Sequence, residues 1–133
     1  MNRTALALAT LAAAAVTACT SAQSDPEPVA GLSTGRQCLF TSQINGYSDA
    51  PGGSNGADRL YVNTGPNGRW LFETFGACPE LDWTFSIALD TRPTSASSLC
   101  TGDTATLLVP RSVGGPPDRC TVRLLGKMEP PPR

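Results

Sequence analysis

The sequence predicts an all-β domain, a small antiparallel β-barrel or sandwich of about six strands stapled by disulfides. Three observations predict it. Apolar residues recur at every second position through most of the chain after residue 36, which is the period of a half-buried strand. Clusters of Gly, Pro, Asn and Ser separate these runs, and no stretch carries the 3.6 period of an amphipathic helix. Finally, Cys38, Cys78, Cys100 and Cys120 lie scattered among the runs rather than in close Cys-x-x-Cys pairs, a disulfide pattern rather than a metal pattern.

Taken in order, "QCLFTSQI" opens the domain, and alternation sets Cys38, Phe40 and Ile44 together on one face. "RLYVN" and "RWLFETF" flank "TGPNG", a hairpin in which Asn67-Gly68 is expected to supply the left-handed backbone. Over residues 82–90, "DWTFSIALD" places Trp83, Phe85, Ile87 and Leu89 inward, with Asp82, Thr84, Ser86, Ala88 and Asp90 outward. "TATLLV" is stopped by Pro110. "RCTVRLL" turns Cys120, Val122 and Leu124 inward, with Thr121 and Arg123 outward. The outward Tyr61, Leu71, Phe75 and Leu108 are bulky enough for a second core layer, the favoured reading, or for a partner-binding patch. The folded domain is expected over residues 36–128, followed by a Pro-rich tail, 129–133, that cannot continue a strand.

What precedes the domain reads as an address. Arg3 is followed by an apolar run over residues 5–16, a length that suits a signal peptide and falls short of the roughly 20 residues of a membrane span. Val16-Thr17-Ala18 suits an ordinary signal peptidase, whereas Val16-Thr17-Ala18-Cys19 resembles the lipobox of bacterial lipoproteins. The chain has five cysteines, and an odd thiol in an exported protein needs an explanation. Lipidation of Cys19 supplies one and leaves an even set of four. The expectation is therefore a lipoprotein signal peptide over 1–18, a lipid-bearing Cys19, and a flexible Ser/Pro/Gly tether over 19–35. The membrane is then a partner through the lipid anchor alone. By resemblance to Gram-negative lipoproteins, Thr20 in place of Asp after the cysteine implies the outer membrane, facing the periplasm. Loss of Arg3 with the signal leaves nine basic against 11 acidic residues, a balance that offers no footprint for nucleic acid.

"CLFTSQINGY", "CPELDW", "LCTGDTATLLVP" and "DRCTVRLL" resemble, in order and spacing, an uncharacterised family of small Gram-negative lipoproteins. The run Cys78, Pro79, Glu80, Leu81, Asp82, Trp83 is the most specific piece of that resemblance, and the Gly-rich loop over 49–58 departs from it by its length. The resemblance implies export and four domain cysteines, and it brings no catalytic residues.

Chemistry is sparse. The chain has no histidine, which removes imidazole bases and most zinc sites. Glu80 and Asp82 beside Trp83 have the makings of a glycosidase pair, but a turn acid and a strand-opening acid are the expected roles in so small a domain. "DAPGGSNGAD" lacks the Asp-x-Asp spacing of a calcium loop and is expected to be a mobile surface loop. In "CTGD", Gly102 is expected to turn and Asp103 to cap. No cofactor or metal is expected and no enzyme. The expectation is a binding or structural module for an envelope protein or polymer; the alternative is an inhibitor of a cell-wall hydrolase, plugging a cleft with Arg69 or Arg111. In an up-and-down meander, strand parity favours Cys38–Cys100 with Cys78–Cys120 over the nested Cys38–Cys120 with Cys78–Cys100.

Overall fold

The computed structural model describes residues 28–81, 86–91 and 97–130. The strands are β1 (Cys38–Phe40), β2 (Gly46–Ala50), β3 (Arg59–Asn63), β4 (Arg69–Thr74), β5 (Ala88–Asp90), β6 (Ser98–Cys100), β7 (Thr104–Val109) and β8 (Asp118–Lys127). Six of them form one antiparallel sheet in the order β2-β3-β4-β8-β7-β5, curled into a half-barrel whose edges β2 and β5 do not pair with each other. β1 and β6 pair separately as a two-stranded sheet. The class is all-β, with two disulfides. Among the described residues, no helix is long and apolar enough to cross a membrane.

Alternation builds the core where expected. Leu60 and Val62 of β3, Ala105, Leu107 and Val109 of β7, and Val122 and Leu124 of β8 all turn into one cluster around Trp70 and Phe72 of β4. The small sheet adds Leu39 and Leu99, which face each other in register and are each 1% exposed. Burial of about 25 cal/mol per Å² of apolar surface makes this cluster the main stabilising term.

β4 is buried on both faces, because the outer side of the sheet is also covered. Leu71 lies in register with Gly126, and Leu32 rests over that glycine: a Cβ there would come within 3.2 Å of Leu32 Cδ1. Leu32 also bridges Met128, the Ser33 N–H donates to Lys127 O, and the Glu129 N–H donates to Gly31 O. The end of the expected 19–35 tether is therefore part of the domain, since an apolar Leu32 at a bare glycine on β8 is better packed than solvated. Residues before 28, with Cys19 among them, lie outside the described residues.

Other expectations are corrected. β8 inserts between β4 and β7, so the sheet is not an up-and-down meander. β2 and β6 escape the periodicity because one is short of apolar residues and the other spans three positions. In β1, Leu39 turns to the core while Cys38 and Phe40 are exposed, because the Cys38–Cys100 pair occupies the outer side of the β1–β6 ladder. A 3-10 turn over Thr41–Gln43 then breaks the alternation before Ile44. The β3–β4 hairpin forms, but the left-handed residue is Gly65 (φ 70°) rather than Asn67 or Gly68. Of the long strand read over 82–90, Asp82, Trp83, Thr84 and Phe85 lie outside the described residues and the strand itself is Ala88–Asp90. Ile87 and Leu89 pack against the core.

Candidate functional site

Two loops meet at the end of the sheet where β8 begins. One, residues 75–81, leaves β4; the other, residues 110–117, joins β7 to β8, whose last register pair is Val109 with Asp118. The Cys78–Cys120 disulfide ties the first loop to the start of β8, with a Cα–Cα separation of 5.9 Å. Asp58 secures the same loop from the other side, its Oδ2 accepting the Cys78 N–H at 2.7 Å. Thr74 Oγ1 accepts the Asp58 N–H and itself bonds Gly76 O. The 49–58 segment is thus structured at this point rather than a mobile loop: Asp58 is a strut and Ala57 is buried.

Glu80 follows Pro79 in the turn, as expected of it, but the turn does more than reverse the chain. Its backbone sits at φ 67°, the one positive φ outside glycine among the described residues. That conformation is costly for a side chain with a Cβ and persists where surrounding contacts impose it. Here the carboxylate crosses to the second loop, where Oε2 accepts the Ser112 N–H at 3.0 Å. Hydrogen bonds from the Ser112 hydroxyl and amide, with help from the Arg111 guanidinium, hold the Glu80 carboxyl below its usual range. Arg111 Nε lies 3.7 Å from Asp118 Oδ1 at the loop base, and the Gly114 N–H donates to Arg111 O. At the tip Val113 is 82% exposed. Between the 75–79 segment and the start of β8 lies a hollow of about 330 Å³ walled by Phe75, Ala77, Pro79, Arg119 and Thr121. Phe75 is 59% exposed, so it belongs to this surface and not to a second core layer. Leu71 does fill such a layer, while Tyr61 and Leu108 are half-buried.

The remaining candidates separate. Arg69 projects at the opposite end of the sheet with its guanidinium 5.1 Å from the Tyr61 ring. Asp103 caps the Gly102 turn, its Oδ2 accepting the Cys100 N–H at 2.9 Å. Cys38 and Cys100 are bonded to each other, as register partners in the small sheet. Among the described residues, no group of three or more Cys, Asp or Glu is placed to hold a metal ion. Sequence reading missed Val113 and the reach of Glu80; three prolines and two glycines around "RSV" were the available signal.

A half-barrel with a disulfide-tied loop pair at one end defines a small disulfide-stapled β domain. The chain belongs to the family of unknown function DUF6491, matched over residues 2–130. No match is found among curated proteins or solved structures.

Proposed function

We propose that this chain is a non-catalytic binding module of a Gram-negative cell envelope. It is exported by a signal over residues 1–18, acylated at Cys19, and held at the outer membrane facing the periplasm, where it binds an envelope protein or polymer. The observation that carries this reading is the polarity of β8. The chain enters the domain at the Leu32–Met128 bridge, at one end of the strand, and the loop pair stands at the other, roughly 30 Å away for a strand of this length. A domain held by its N-terminus at one end leaves the other free to meet a partner. Two or three acyl chains would make the anchor effectively permanent, so the domain needs no membrane-binding surface of its own.

A second reading, inhibition of a cell-wall hydrolase, is favoured by one observation: the anchored loop holds Val113 out at 82% exposure, as a cleft-plugging element requires. Crosslinking the full-length protein in intact envelopes, beside a lysozyme inhibition assay with the purified protein, separates the two. A stable envelope partner without inhibition supports the first reading. Inhibition at stoichiometric protein supports the second.

A further inference from the structure

We propose that Cys38 Sγ is a site of thiol–disulfide exchange, and that the Cys38–Cys100 bridge is a reversible clasp on β1, opened by a dithiol reductant. The two bridges of this chain occupy different surroundings. Cys78 is 5% exposed within the core cluster, and Cys120 packs against that cluster. Cys38 is exposed and Cys100 half-buried, on the outer side of a two-stranded sheet. Exchange requires a thiolate to approach one sulfur of the bridge, so access decides which bridge reacts. Cys38 offers that approach and Cys78 does not.

What the bridge holds is β1. Around it the Thr101 N–H donates to Gln37 O at 2.8 Å and the Thr41 N–H donates to Ser97 O at 2.9 Å, so the neighbouring hydrogen bonds also run between β1 and β6. β6 is tied onward to the main sheet. The Gly102 N–H donates to Leu124 O, the Leu124 N–H donates to Asp103 O, and Asp103 Oδ2 accepts the Cys100 N–H. On either side of β1 the chain is held at Ser33, whose N–H donates to Lys127 O, and at Asn45, whose N–H donates to Asn63 O. Opening the bridge therefore lets β1 lift between two fixed points while β6 stays on β8, and the lift uncovers Leu39 and Leu99, each 1% exposed.

In the exchange, one thiolate of the reductant bonds Cys38 Sγ. The S–S bond breaks, and its electron pair leaves on Cys100 Sγ, which takes a proton from water. The reductant's second thiolate then attacks the reductant sulfur of the mixed disulfide, closing a disulfide within the reductant and releasing Cys38 as a thiolate that is protonated in turn. Two electrons pass from the dithiol to the bridge.

The test exposes the purified full-length protein to dithiothreitol at neutral pH, quenches aliquots with iodoacetamide, and reads each domain cysteine by peptide mass. Cys38 and Cys100 are expected to be alkylated at least about tenfold faster than Cys78 and Cys120. Where the first pair alone is open, residue-resolved hydrogen exchange is expected to accelerate at the Thr41 and Thr101 amides and to hold at the adjacent Gly102 amide. Glutathione disulfide is expected to restore the Cys38–Cys100 linkage. The double variant Cys38→Ser with Cys100→Ser should show the same exchange pattern without reductant; if it does not fold, the half-reduced wild type supplies the measurement alone. Alkylation of all four cysteines together, or of Cys78 and Cys120 first, overturns the exchange site. Selective opening without acceleration at Thr41 and Thr101 overturns the clasp. Reoxidation that pairs Cys38 with Cys78 or Cys120 overturns its reversibility.

Discussion

Arg59 Nε lies 2.7 Å from Glu73 Oε2 across the β3–β4 ladder, and both side chains are 10% exposed. Arg123, the register partner of Glu73 on β8, approaches the other oxygen at 3.5 Å from the far side. Two guanidinium groups thus share one carboxylate on the outer face of the sheet, and Gly53 of the 51–58 loop closes over it so tightly that a Cβ would come 3.2 Å from Glu73 Oε2.

Removing the shared carboxylate should therefore cost more than an ordinary surface ion pair. Glu73→Ala leaves Arg59 withdrawn from water with no counter-charge, a loss of roughly 3–5 kcal/mol where a buried pair is broken from one side. The double variant Arg59→Met with Glu73→Leu should recover most of it, because the desolvation of both charges disappears together. Urea unfolding of Glu73→Ala and of the double variant at neutral pH measures this. Equal losses in Glu73→Ala and in the double variant would show that the pair holds nothing beyond its packing.

The disulfides should contribute comparably. Cys38–Cys100 closes 62 residues and Cys78–Cys120 closes 42, and loops of that size correspond to about 4 kcal/mol per bridge in the chain-entropy model. Reduction is expected to lower the melting temperature sharply. Non-reducing peptide mapping should recover these two linkages, and a Cys38–Cys120 peptide would contradict them. The bridge between β1 and β6 follows from register: the Thr101 N–H donates to Gln37 O and the Thr41 N–H to Ser97 O. That makes Cys38 and Cys100 a non-hydrogen-bonded pair, the closer of the two kinds.

The lipid assignment has its own measurement. Intact mass of membrane-extracted protein is expected to show a chain beginning at an acylated Cys19. A water-soluble product beginning at Gln23, or at an unmodified Cys19, would remove the anchor from the proposal.

Docking of the N-terminal segment should depend on Gly126. Gly126→Ala sets a methyl 3.2 Å from Leu32 Cδ1, so Leu32 must give way and loosen its hold on the segment. Hydrogen exchange at the Ser33 amide, which bonds Lys127 O, is expected to accelerate about tenfold or more, while the core amides of β7 change little. Unchanged exchange at Ser33 would mean that Leu32 does not hold the segment.

The sequence made the all-β class legible wherever one face of a strand is buried and the other is not, as in β3 and β7. It failed where that condition fails. β4 is covered on both faces, so Leu71 looked like an outward residue, and Leu32, the residue over its register partner Gly126, looked like tether. β1 is too short for alternation to outweigh a disulfide on its outer side, and Phe40 was placed inward although it is 53% exposed. The insertion of β8 between β4 and β7 is a long-range pairing that no local pattern encodes. Within the site, Glu80 was legible as a turn residue, but its contact with Ser112 spans 32 positions and depends on the curl of the sheet.

That contact predicts how the loop responds to acid. The Glu80 carboxyl is held below its ordinary value, first by the Ser112 hydroxyl, then by the Ser112 amide, with Arg111 assisting. A group whose folded pKa is depressed stabilises its contacts above the unfolded pKa and loses them as pH falls through the folded one. The grip on Ser112 should therefore be complete at neutral pH, persist below the ordinary glutamate value of about 4.3, and fail only in stronger acid. The other charges facing it are Arg111 and Asp118, whose Oδ1 lies 3.7 Å from Arg111 Nε. Asp118→Asn separates the two carboxylates. The Ser112 amide proton shift, followed by NMR from neutral pH into acid, is expected to move with the Glu80 titration in the wild type and in Asp118→Asn, and to stay flat in Glu80→Gln. A Ser112 shift that survives in Glu80→Gln and vanishes in Asp118→Asn would place the loop's anchor at its base instead of at its tip.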